Sequence, residues 1–91
     1  MGKALGMIET KGLVAALEAT DVILKSSNVS LEACEKIGFG LVTIVISGNI
    51  GDVKTAIEAG AEAAGCIGEI YAVHVIENPH KGVIEILSKG E

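Results

Sequence analysis

Apolar residues recur along this chain in two rhythms, and the change from one to the other marks out its elements. Ala4 to Thr10 reads as a strand, and Gly12 then opens a helical segment to about Ser27. In that segment Leu13, Ala16, Leu17, Thr20 and Leu24 form one stripe at helical spacing, the face expected to meet a core. Glu18, Asp21 and Lys25 fall on another face, with Asp21 and Lys25 placed as an i,i+4 ion pair. Ser26, Ser27 and Asn28 break the helix. From Val29 to Ile37, Val, Leu, Ala, Glu and Ile alternate against Ser, Glu, Cys and Lys, as in a strand with one wet side. Gly38-Phe39-Gly40 is a turn, and Leu41 to Ser47 is β-branched and almost continuously apolar, so it reads as a central strand buried on both faces.

A second helix follows, with Asn49 as its N-cap and Asp52 in its first turn. Val53, Ala56, Ile57, Gly60, Ala61 and Ala64 make its inner stripe, small enough for close approach to a neighbour, while Lys54, Glu58 and Glu62 face water. Gly65 and Gly68 end it. Ile70 to Ile76 is a further strand stopped by Pro79, and Gly82 to Lys89 a short amphipathic helix with Val83, Ile84, Ile86 and Leu87. The order βαββαβ plus a terminal helix predicts an α+β fold of the ferredoxin-like, split βαβ kind. Its helices cover one face of an antiparallel sheet.

Composition narrows what such a domain can do. The chain has 91 residues, too few for a catalytic domain plus a substrate domain. Yet 49% of its residues are hydrophobic, and mean hydropathy is +0.54 for a mass of 9.3 kDa. One core of this size cannot hide so much apolar surface, so other subunits are expected to cover part of it. The net charge is -5 and none of the seven basic residues is Arg, which disfavours nucleic acid as a partner. Phe39 and Tyr71 are the only aromatic residues, too few for a stacking platform. The N-terminus lacks a hydrophobic signal core, and the longest uncharged stretch, Ile37 to Gly51, is short and broken by glycines. A soluble, cytoplasmic protein without membrane contact is the expectation.

Candidate chemistry is sparse. Cys34 and Cys66 are not at metal-ligand spacing and are expected to be buried thiols in a reducing compartment. Glu32 and Glu35 beside Cys34 disfavour a thiolate there. His74 lies mid-strand, with His80 after the single Pro and no further ligand near either, so a hydrogen-bonded structural His74 is expected. Ser26-Ser27 fits helix-end bonding better than nucleophilic catalysis. No metal, cofactor or catalytic residue follows from these patterns. Phe39 is the oddity: a Phe flanked by glycines at a turn tip is exposed in a monomer and points to contact.

Several segments together resemble bacterial microcompartment shell proteins of the single-domain, hexamer-forming type. They are Ala4-Leu5-Gly6-Met7-Ile8-Glu9-Thr10-Lys11-Gly12, Asp21 to Lys25 with Asn28-Val29, and Glu35-Lys36-Ile37-Gly38 with Gly40-Leu41-Val42-Thr43. Gly51-Asp52-Val53 with its Ala-rich helix and Ala72-Val73-His74-Val75-Ile76 leading to Pro79-His80 complete the series, in family order over residues 3 to 81. The resemblance implies one shell domain over residues 1–91 and a homohexamer that tiles edge to edge into two-dimensional sheets. It also implies other shell proteins and encapsulated enzymes as partners, in the shell of a cytoplasmic compartment. Small metabolites would cross a sixfold pore lined by Lys36, Gly38, Phe39 and Gly40. Lys25, Asn28, Asn78 and His80 would form the contact between hexamers.

Two departures from the family pattern bear on this. Phe39 stands where Ser or Gly is common; six phenyl rings near one axis either narrow the pore or stack outward, and narrowing is the expectation. Asn78 stands where Arg often precedes Pro-His, which removes a guanidinium from the edge. Two rival functions stay open from sequence: a ferredoxin-like regulatory module binding a small ligand between subunits, and a small enzyme using His74 or Cys34.

Overall fold

The computed structural model describes residues 3–89. Strand β1 (Ala4–Lys11) leads into helix α1 (Leu13–Ser26), then strands β2 (Ser30–Gly38) and β3 (Leu41–Gly48). Helix α2 (Ile50–Gly65), strand β4 (Glu69–Ile76) and helix α3 (Lys81–Lys89) complete the fold. The strands form one sheet in the order β2-β3-β1-β4, antiparallel throughout, which is the α+β arrangement expected. Side chains alternate along each strand. Ala4, Ile8, Val42, Ile44 and Ile46 therefore face α1 and α2, and Leu5, Met7, Glu9, Thr43 and Val45 face the other way.

Local chemistry fixes the helix ends. The Asn49 side chain accepts from the Asp52 amide at 3.1 Å and caps α2, as expected. Ser26 Oγ donates to the Ile23 carbonyl at 3.3 Å, which uses that hydroxyl at the end of α1. The two long helices pack through small residues. A Cβ on Gly60 would lie 2.7 Å from Cγ1 of Ile23, so only hydrogen fits there. The inner stripe of α2 is buried at Val53, Ala56, Ile57, Gly60 and Ala64, with Ala61 half-buried.

Helix α1 departs from expectation. Its buried residues are Ala15, Ala16, Ala19 and Ile23; of the expected stripe Ala16 is buried and Thr20 half-buried, whereas Leu13, Leu17 and Leu24 are exposed. The close approach at Gly60 selects the small side of α1 for the core and turns the leucines outward. Strand β2 also differs: it is exposed nearly throughout, with only Ala33 half-buried. As an edge strand it lies beyond the cover of the helices, so its alternation gives it no dry side. Both thiols, expected to be buried, are exposed, Cys34 on β2 and Cys66 at the C-cap of α2. His74 is exposed on the open face of β4, and its imidazole has no hydrogen-bond partner among the described residues.

Candidate functional site

The register places the candidate residues at opposite ends of the sheet. Gly38 pairs with Leu41, and Leu41 with Lys11, so the β2–β3 turn sits at one end beside the β1–α1 junction. Ser30 pairs with Ser47, and Ile76 with Leu5, so the approaches to Asn28 and Asn78 lie at the other end. Eight residues of β1 separate the two, about 25 Å at ~3.3 Å per residue.

At the turn end, Gly38, Phe39 and Gly40 all have positive φ, at 123°, 57° and 80°. Positive φ at both Phe39 and Gly40 is the requirement of a two-residue type I′ hairpin turn. Glycine meets it freely; for Phe39 it costs roughly 1–2 kcal/mol. The phenyl ring recovers nothing from its own chain, since Phe39 is 94% exposed. The turn is nevertheless braced. The Gly12 amide donates to the Gly40 carbonyl at 2.6 Å, and the stem of Lys11 lies where a Gly40 side chain would go, 3.2 Å from its Cβ position. The Lys11 ammonium sits 6.0 Å from the centre of the Tyr71 ring. Lys36, Gly38 and Gly40 line a cleft of about 290 Å³ with Gly12, Leu13, Leu41 and Val42. Nothing in the sequence ties Lys11 or Gly12 to the turn; only the register brings them there.

At the opposite end, Lys25 closes the last turn of α1. Its ammonium contacts Asp21 at 2.9 Å on the exposed helix surface. That hydrogen bond, with the Asp21 charge, holds the Lys25 pKa above its ordinary value of 10.5. Asn28 lines a shallow cleft of about 290 Å³ with Lys3, Ser30, Ser47, Gly48 and Asn49. Asn78 is exposed. His80 has a local task that spacing did not reveal: its Nδ1 accepts from the Gly82 amide at 2.9 Å and caps the start of α3. The four residues thus share one end of the fold.

Between these ends the flanks carry apolar side chains that the single chain leaves wet. Val14 and Leu17 of α1, Leu31 and Ile37 of β2, and Tyr71 and Val73 of β4 are all exposed. Among the described residues no group of His, Cys, Asp and Glu is placed to hold a metal ion. No described helix is long and apolar enough to cross a membrane.

Comparison with known proteins agrees with this architecture. The BMC domain family model matches residues 4–79. The chain is 58% identical over 88 residues to the bacterial microcompartment shell protein PduA of Citrobacter freundii, covering 97% of this chain and 95% of that one. It is 47% identical over 88 residues to the bacterial microcompartment shell protein EutM of Escherichia coli K12, covering 97% and 91%. The carboxysome shell protein CsoS1C of Hydrogenovibrio crunogenus is 46% identical over 90 residues, covering 98% and 88%. A crystal structure of a microcompartment protein from Desulfitobacterium hafniense superposes with a TM-score of 0.86 at 22% identity, and so shows the fold alone. It matches 98% of this chain, which spans 48% of that one. With identity near or above half to shell proteins along almost their whole length, and the same fold, the chain belongs to the BMC-domain family of bacterial microcompartment shell proteins.

Proposed function

We propose that the chain is a structural tile rather than an enzyme. Six copies close into a ring, with the Gly38-Phe39-Gly40 turns converging on the axis and the apolar flanks of neighbouring subunits pressed together. Rings then meet edge to edge through the end that carries Lys25, Asn28, Asn78 and His80. Residues 1–91 act as one shell domain, and the sheets they form join other shell proteins around encapsulated enzymes in the cytoplasm. The observation that carries this reading is the wet apolar flank that runs between the turn end and the Lys25 end, with Leu13, Val14 and Leu17 on α1 and Tyr71 and Val73 on β4. Cyclic closure covers such flanks on every copy, and a head-to-tail contact that closes leaves no flank unpaired.

Six Phe39 rings at the axis narrow the opening there and make its lining apolar, while small metabolites are the cargo. Lys36, Gly38 and Gly40 line the approach. The edge lacks a guanidinium at Asn78, so the contact between rings rests more on Lys25 and His80.

Native mass spectrometry tests the ring. Wild type is expected at about 56 kDa, six times the 9.3 kDa of one chain. Leu17→Lys, which puts a charge on the wet face of α1 and leaves the core untouched, is expected as a folded single chain. A wild-type monomer, dimer or trimer removes the tile reading, and a dimer or trimer favours the ligand-binding module.

A further inference from the structure

Resting on the reading that the Phe39 turns meet at the axis, we propose that this collar admits small uncharged molecules and stops ions of either sign. Phe39 is held in the left-handed region between two glycines with its ring in water, so nothing on its own chain competes for the phenyl group. An apolar constriction sheds water. An ion that loses its hydration shell there finds no donor or acceptor in exchange, and an unpaired charge is far harder to desolvate than a neutral polar group.

The charge beside the turn on the helix-bearing face adds to this barrier. Lys36 pairs in register with Val42, whose side chain is in the core, so it lies on the helix-bearing face. Among the described residues no carboxylate is within ion-pair distance of it. On the open face Glu35 lies opposite Thr43, and Lys11 lies opposite Glu69 in register. Each subunit therefore offers the Lys36 ammonium to one mouth, while the other carries Glu35 and Glu69 together with Lys11, whose stem lies against Gly40. Repeated around the axis, the Lys36 mouth repels cations, and the collar denies an ion of either sign its hydration. An uncharged solute feels neither.

Layers of the assembled protein mounted across a perforated support allow the passage of acetamide, acetate and ethylammonium, similar in size, to be timed. Wild type is expected to pass acetamide at least about tenfold faster than either ion. Phe39→Ser should bring that ratio down to about threefold or less; Phe39→Gly, which suits positive φ, should do the same and covers a folding failure of the first variant. Equal rates for the three solutes, no passage of acetamide, or selective passage of ethylammonium through ring faces overturns the proposal. The underlying reading is tested apart from it with Phe39→Cys in a Cys34→Ser, Cys66→Ser background. A short bismaleimide links neighbouring subunits if the turns meet around the opening; six-copy rings that it does not link place the turns off the axis and remove the pore itself.

Discussion

Replacing Gly60 by Ala should destabilise this protein, although the same change in most helices stabilises. In an exposed helix interior Gly→Ala gains roughly 0.8–1 kcal/mol. At Gly60 the added methyl meets Ile23 Cγ1 at 2.7 Å and Cδ1 at 2.8 Å, with the Ala19 carbonyl at 3.3 Å. Ile23 is fully buried and has nowhere to retreat. Overpacking of this kind costs typically ~1–3 kcal/mol, so the net change is a loss of about 1 kcal/mol once the helix gain is subtracted. Gly51, in the first turn of the same helix, is the control, because a Cβ there has only the Asn49 side chain near it, at 3.8 Å. Gly51→Ala should stabilise slightly. Denaturant unfolding at one subunit concentration, fixed because association shifts apparent stability, reads both. Ile23→Val removes Cδ1 and should recover about half of the Gly60→Ala loss in a double-mutant cycle. If Gly60→Ala stabilises like Gly51→Ala, the helices do not meet at that glycine, and the outward turn of the α1 leucines loses its physical cause.

Asn49→Ala removes the cap of α2 and should cost about 1 kcal/mol in the same unfolding assay. Asp21→Asn should lower the Lys25 pKa toward 10.5 by removing the hydrogen bond and charge that raise it; NMR titration of the Lys25 Nζ reports this. Because the folded pKa is the higher one, the pair's contribution is present below the ordinary lysine value and is lost as pH rises through the raised one. Lys25→Ala should leave six-copy rings by native mass but abolish extended sheets in electron micrographs, and sheets of normal extent would contradict the assigned edge.

The breaks between elements were legible because glycine and short polar residues punctuate the chain: Gly12, Ser26 to Asn28, Gly38 to Gly40 and Asn49 all mark observed boundaries. The inner face of α1 was not. A count of large residues selects Leu13, Leu17 and Leu24, yet the core takes Ala15, Ala16, Ala19 and Ile23. What decides is the width of the gap left by Gly60 on another helix, a tertiary quantity. The exposed cysteines have a related cause. Cys34 falls on an edge strand that the helices do not reach, and local alternation does not show how far their cover extends. At the turn, Gly-Phe-Gly between two strands marked the tip, and Phe39 as its exposed residue. The positive φ of Phe39 and the brace from Lys11 and Gly12 come only with the register.

Cryo-electron microscopy of the assembled particle at side-chain resolution bears most directly on the central claim. Six subunits around one axis, with the Phe39 rings surrounding it and Leu17 sealed between neighbours, is the predicted image. Phe39 on the outer rim, or Leu17 still facing solvent, would contradict it.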